Sequence, residues 1–334
     1  MGDYKHIELT ASEISTLWTT YQSDTMAICG LKHFLSHVDD EEVRTMIEHN
    51  LTLKEQRVEI VTNFFIQEDY PIPQGFTGHD ITLEAPRLFS DKLYLEYMLN
   101  MANLALVSNT SALVSAERED VIDFYTENVT TAQDLHKQLK ELLKEKGIYI
   151  RAPLLPKPKQ IDFVKKQSFL AGWFADRRPL LGVEITHLIF NARRNALGQA
   201  LITGFSQVAQ TKEVRKFFER GRDISGKHAE IFSSILNEDY LSNSALLMTP
   251  EVTESTVSPF SDKLMMELVT VLIASSIGQY SVGLAASPRR DLAAQYTRLS
   301  AEIAAYAEDG ANIMIDHGWM EQPPMAADRK KLAK

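Results

Sequence analysis

Two four-helix bundles in tandem, an all-α fold, are what this sequence predicts, and three observations predict them. The chain contains itself twice: Phe89-Ser90-Asp91-Lys92-Leu93 recurs as Phe260-Ser261-Asp262-Lys263-Leu264, an offset of 171 residues. The same offset pairs Glu13 with Glu184, Phe34 with Phe205, Asp120 with Asp291, Tyr125 with Tyr296 and Gly147 with Gly318. Repeats of that length are duplicated domains, because solenoid units recur every ~20–50 residues. Apolar residues recur at helical spacing, and strand-type alternation of Val and Ile is nearly absent. Finally, each half breaks its helical pattern once, with a long connection in the middle.

In the first half, helix one carries Ile14, Leu17, Tyr21, Ile28 and Leu35, and helix two Val43, Met46, Ile47, Val61, Phe64 and Phe65. Helix three follows with Leu93, Leu104, Val107 and Val114, and helix four with Val121, Phe124, Leu135, Leu139 and Leu142. Thr10-Ala11-Ser12-Glu13 is a capping box that starts helix one, and Gly147 stops helix four. The turn near Val38-Asp39-Asp40 is short, so helices one and two are antiparallel neighbours. Asp69 to Leu88 contain Tyr70-Pro71-Ile72-Pro73-Gln74-Gly75-Phe76, which is not helical. A connection that long runs the length of the bundle and starts helix three beside the N-terminus of helix two. That is the crossover of ferritin-like bundles. The second half repeats the layout, with its crossover near Leu241 to Pro259. The expected division is a bundle over residues 1–150, a Pro-rich linker with a short amphipathic helix (Phe163 to Phe174) over 151–176, and a bundle over 177–334.

Composition narrows the function. The 334 residues carry 44% hydrophobic and 24% charged residues, as ordinary soluble globular proteins do. A net charge of −10 and basic residues only in short pairs, such as Arg193-Arg194, argue against nucleic acid as a partner. Cys29 is the single cysteine, which excludes an intrachain disulfide and points to a reducing, cytoplasmic setting. Leu264 to Ala286 is apolar, but it contains Glu267 and several Ser and Gln residues, so a core helix is expected there and no membrane partner.

The duplicated Phe-Ser-Asp-Lys-Leu, the Tyr70–Phe76 crossover, Arg178-Pro179-Leu180, Glu184-Ile185-Thr186-His187, Lys227-His228 and Gly318-Trp319-Met320-Glu321-Gln322-Pro323-Pro324 carry a family resemblance. They resemble the duplicated ferritin-like proteins of spore-forming bacteria, a family of unknown function sometimes labelled spore-coat-like. The resemblance spans about Leu9 to Leu332. It implies two ferritin-like bundles and brings no established activity.

A di-iron centre needs Glu from two helices and Glu-x-x-His from two others. The first half has no such motif. Asp24, Lys32, Asn50, Lys54, Arg57, Glu96 and Asn128 fall on or beside its core-facing stripes, and the cations argue against a metal there. A buried ion pair with hydrogen bonds among Lys32, Asn50 and Glu96 is expected instead. The second half holds Glu184-Ile185-Thr186-His187, one Glu-x-x-His. In the crossover topology His187, His228 and Glu302 come within about one turn in depth, with Asn191 and Asn195 near. Two imidazoles and one or two carboxylates would suit iron, manganese or zinc, so His187, His228, Glu302 and Glu184 are the candidate metal ligands. Against this, His187 points off the apolar stripe, and a hydrogen-bonded histidine is the alternative. Glu267 is expected to accept a hydrogen bond from Tyr306, or to cap helix three. Cys29 and His33, four apart, are either a reactive pair or a buried inert thiol. Met98, Met101, Met265, Met266, Met314 and Met320 are core filling. Trp319 to Pro324 are expected to fold back over the bundle.

No phosphate loop, nucleophile elbow or dinucleotide fingerprint is present. Three function classes follow: a structural or interaction protein linked to sporulation or stress, with self-association or a protein partner; a ferritin-like metal-binding protein or oxidase with one iron or manganese site in the second bundle; and a small-molecule binding module.

Overall fold

A computed structural model describes residues 7–173, 177–241 and 248–333. Its helices are α1 (Ala11–His37), α2 (Glu41–Gln67), α3 (Asp91–Ser115), α4 (Glu119–Glu145), α5 (Gly182–Val208), α6 (Lys212–Glu238), α7 (Asp262–Ala286) and α8 (Arg290–Asp316), with a single turn, α9 (Arg329–Leu332), near the end. Equivalent helices have equal lengths: α1 and α5 are 27 residues each, as are α2 and α6 and also α4 and α8, whereas α3 and α7 are 25 each. The chain is all-α, and its two halves are four-helix bundles related by the duplication.

Local chemistry sets the helix ends. Thr10 accepts from the Glu13 N–H at 3.2 Å while the Glu13 carboxylate accepts from the Thr10 N–H at 2.8 Å, the predicted capping box. Asp40, Thr211 and Ser261 cap α2, α6 and α7. Gly147 and Gly318, at φ +69 and +67, stop α4 and α8 in the left-handed region.

Two compact units form. One comprises Met1–Glu84, Tyr97–Glu145 and Gly318–Lys334; the other Ala85–Glu96 and Lys146–His317. In the first, Leu17 of α1, Val61, Phe64 and Phe65 of α2, Ala112 of α3 and Val121, Phe124 and Tyr125 of α4 build one apolar cluster. Its crossover runs along α1: the Phe76 N–H donates to Thr25 Oγ1 at 3.2 Å and Cys29 Sγ to the Thr77 carbonyl at 3.5 Å.

In the second unit α5 packs on α6 and α7, and α8 on α7 and α6. The Asp262 carboxylate accepts from the N–H groups of Gln210 and Thr211, at 3.0 and 2.9 Å, so α7 starts at the α5–α6 turn. α7 therefore runs parallel to α6, and the intervening connection returns along the bundle, the one-crossover connectivity expected. Its residues 242–247 lie outside the described residues. By length and composition α7 would pass for a membrane span. Here it packs on α5 and α8, burying Leu264, Met265, Met266, Leu268, Val269, Ile273 and Tyr280.

Several expectations change. The amphipathic helix over Phe163 to Phe174 is a single 3-10 turn, Gln167–Leu170, with Phe163 78% exposed. Lys166, ahead of the turn, offers no side-chain cap, so nothing extends it. Phe174 lies outside the described residues. Lys32 pairs with Glu55 at 3.0 Å on a half-exposed surface and Glu96 with Arg193 at 3.5 Å, so the Lys32–Asn50–Glu96 cluster does not form. Met98, Met265, Met266 and Met314 are core filling, whereas Met320 is 41% exposed. Trp319 to Pro324 pack on the first unit: the Glu321 carboxylate accepts from Gln22 Nε2 at 2.6 Å and from the N–H groups of Gln74 and Gly75, at 3.0 and 3.3 Å.

Candidate functional site

The buried polar centre of the second bundle is where two of the predicted site residues, His228 and Glu302, meet. α5 presents Asn191, Arg194 and Asn195 at i, i+3 and i+4, one face of the helix. α6 supplies Lys227 and His228, α7 Ser275 and Tyr280, and α8 Tyr296 and Glu302. His228 is fully buried, and its two ring nitrogens lie 3.0 Å from Tyr280 Oη and 3.2 Å from Glu302 Oε2. Asn195 Nδ2 donates to Tyr280 Oη at 2.7 Å. That leaves the Tyr280 proton for His228 Nδ1, and the Nε2 proton of His228 for the carboxylate. Lys227 Nζ closes the chain on Glu302 Oε1 at 2.6 Å, at the bundle surface.

Electrostatics agree with this assignment. Burial lowers the His228 pKa, against the opposing pull of Glu302, so the imidazole is neutral at pH 7. Burial alone would raise Glu302, but the hydrogen bonds from Lys227 and His228 outweigh it and hold its carboxyl below the usual range. Burial pushes the Tyr280 and Tyr296 hydroxyls up, so both stay protonated.

The duplication shows what the same place does in the first bundle. The offset maps Asn195 onto Asp24, His228 onto Arg57 and Tyr296 onto Tyr125. There Asp24, 1% exposed, pairs with Lys54 at 2.7 Å and Arg57 at 3.0 Å, and Tyr125 shares a 3.2 Å hydrogen bond with Thr20. One bundle centres on an ion cluster, the other on a chain of neutral hydrogen bonds ending in a surface ion pair.

Of the four candidate ligands, the structure brings together His228 and Glu302. His187 is half-buried and makes no hydrogen bond or ion pair among the described residues; burial lowers its pKa. Glu184 is spent elsewhere. Its buried carboxylate takes both Arg178 guanidinium nitrogens at 2.8 Å, the Leu181 N–H at 2.8 Å and the Arg289 N–H at 3.4 Å. Burial would raise its pKa, but these donors lower it. Glu13 does the same work in the first half, accepting from the N–H groups of Arg118 and Glu117 at 2.8 and 3.0 Å. Arg118 and Arg289 each grip an Asp two residues on with two nitrogens, at 2.7 and 2.9 Å for Asp120 and 2.9 and 3.0 Å for Asp291. A Glu repeated in this clasp ties the first helix to the fourth. Among the described residues no three His, Cys, Asp or Glu side chains converge as metal ligands. A neutral imidazole with both nitrogens engaged, beside a carboxylate shared with Lys227, does not fit an iron or manganese centre.

Other singled-out residues resolve plainly. Tyr306 donates to the Phe217 carbonyl at 2.9 Å and not to Glu267, because Gly221 lets its ring stack on Phe217 with centroids 4.2 Å apart. Burial raises the half-buried Glu267 carboxyl. Cys29 is buried and its thiol is pushed up to about 11, so it is inert. Tyr280 and Arg194 were not predicted as site residues. Tyr280 lies in an apolar run, and the only signal for it was its polar counterpart Asn109.

The family described as "Protein of unknown function (DUF3231)" matches residues 2–161 and again 168–332. No curated protein matches the chain. Among solved structures, a candidate spore coat protein from Bacillus halodurans is similar at 19% identity with a TM-score of 0.42, covering 46% of this chain and 100% of that one.

Proposed function

The chain belongs to this family of unknown function, which hands it no activity, and we propose that it is a structural or interaction protein whose bundles carry no metal chemistry. One observation carries the reading: within each bundle the named central groups pair among themselves, Asp24 with Lys54 and Arg57 in the first, and Asn195, Tyr280, His228 and Glu302 as a chain in the second. Groups already satisfied in a low-dielectric interior hold the fold together and offer little to an incoming ion. A cytoplasmic setting, supported by the single cysteine, and a tie to sporulation or stress with self-association or a protein partner, supported by the family resemblance, are part of the proposal.

The competing reading is a metal held by His187, His228, Glu302 and Glu184. Thermal unfolding of the untagged chain with added Fe²⁺, Mn²⁺ or Zn²⁺ separates the two. We expect an unchanged melting temperature. A saturating rise that a His228→Ala variant loses would favour the metal reading.

A further inference from the structure

Arg194 is a part-buried cation with no counter-ion among the described residues. It leaves α5 against the Phe190 ring, 5.6 Å from guanidinium carbon to centroid, and its Nη2 donates to Ser275 Oγ of α7 at 2.7 Å. Its Nη1 is shielded from solvent and has no acceptor. No carboxylate pairs with it among the described residues, whereas other guanidinium groups of the same unit do find one, as Arg178 does in Glu184 and Arg289 in Asp291. Tyr280, also on α7, has its oxygen engaged with Asn195 and His228. Burial draws the guanidinium pKa down to about 10, the mark of a charge held where it is not compensated.

The duplication shows that the bundle does not need this arginine. The offset maps Arg194 onto Ser23 and Ser275 onto Leu104, and the first bundle folds without a charge at either position. Shielding a charge without a counter-ion is costly, and the Phe190 ring and the Ser275 hydroxyl offset that cost only in part. A ligand that supplies the missing negative charge accounts for it. The donors are already placed: Nη1 is free, and Ser275 Oγ, which accepts from Nη2, keeps its own hydrogen to give. A guanidinium nitrogen and a neighbouring hydroxyl can hold two oxygens of one carboxylate or phosphate group.

We propose that Arg194 and Ser275 form a binding site for a small oxyanion, a carboxylate or phosphate group, between α5 and α7 of the second bundle. The site does not use His228 or Glu302 and does not depend on whether that pair holds a metal. Thermal unfolding in sodium acetate, in inorganic phosphate and in chloride at matched ionic strength tests it. Acetate or phosphate, but not chloride, raises the melting temperature of the natural chain to a plateau. A response to acetate alone identifies a carboxylate ligand, and one to phosphate alone a phosphoryl ligand. Arg194→Met keeps the packing of the stem, loses the response, and in anion-poor buffer is at least as stable as the natural chain. Ser275→Ala, which keeps the charge, moves the response to about tenfold higher anion concentration, the worth of one charge-assisted hydrogen bond. Equal melting temperatures in all three salts overturn the proposal. An acetate or phosphate response that survives in Arg194→Met, or in Ser275→Ala should the first variant fail to fold, does so too.

Discussion

Glu184 sits fully buried between Arg178 and two backbone N–H groups, and its chemistry follows from that company. Glu184→Gln leaves the Arg178 guanidinium without its charge partner and is expected to cost about 3–5 kcal/mol, read as a lower urea midpoint at unchanged slope. Close approach governs Gly204 in the same direct way. A Cβ there would stand 2.5 Å from Phe89 Cε1, whereas one at Gly30 meets nothing within 4 Å. Gly204→Ala should therefore lower the melting temperature by several degrees. Gly30→Ala should raise stability by about 0.5–1 kcal/mol, the helix propensity gain alone. His33 supplies the pH dependence. Burial holds its folded pKa down at about 4 against the ordinary 6.5. The folded state thus refuses a proton that the unfolded chain accepts, and stability complete above pH 6.5 is lost as pH falls toward 4. The loss is on the order of 3 kcal/mol, and a His33→Gln variant titrated by urea unfolding between pH 7 and 4.5 should show a shallower decline.

At the scale of the element, α7 shows what a helix-long apolar run conceals. Glu267 and the Ser and Gln residues within the run pointed to a core helix, and the structure packs it on α5 and α8. The one polar group that organises the bundle centre, the Tyr280 hydroxyl, carried almost no signal, because tyrosine satisfies an apolar pattern as well as phenylalanine does. Tyr280→Phe strands His228 Nδ1, leaves Asn195 Nδ2 only the Asn191 carbonyl, and is expected to cost about 1–3 kcal/mol in chemical unfolding, with helix content by circular dichroism unchanged. Caps and crossovers were legible for a physical reason: Thr10 with Glu13, Gly147, and the prolines of Tyr70–Phe76 act through the backbone of their own neighbourhood. The fate of Glu184 was not legible. An i, i+3 pair with His187 reads as a ligand motif, and only the fold reveals that the Glu reaches back to Arg178 and to the start of α8. The Lys32–Asn50–Glu96 grouping failed for a similar reason, since depth along a helix fixes height but not the neighbour a long side chain chooses.

For the whole molecule, duplication made the architecture readable, because every helix was predicted twice and equal lengths recur across the two halves. It also makes the divergence readable: the same central place holds Asp24, Lys54 and Arg57 in one bundle and Asn195, Tyr280, His228 and Glu302 in the other. What chain order does not announce is that the first unit takes in Gly318–Lys334 and the second Ala85–Glu96, since such docking depends on distant contacts such as Glu321 with Gln22. The central claim is that these polar centres hold internally paired groups and not metal sites. The most direct test is the metal content of the untagged chain by mass spectrometry, beside a His187→Ala/His228→Ala double variant. The account predicts iron, manganese and zinc far below one ion per chain in both. Near-stoichiometric metal in the natural chain, lost in the double variant, would contradict it.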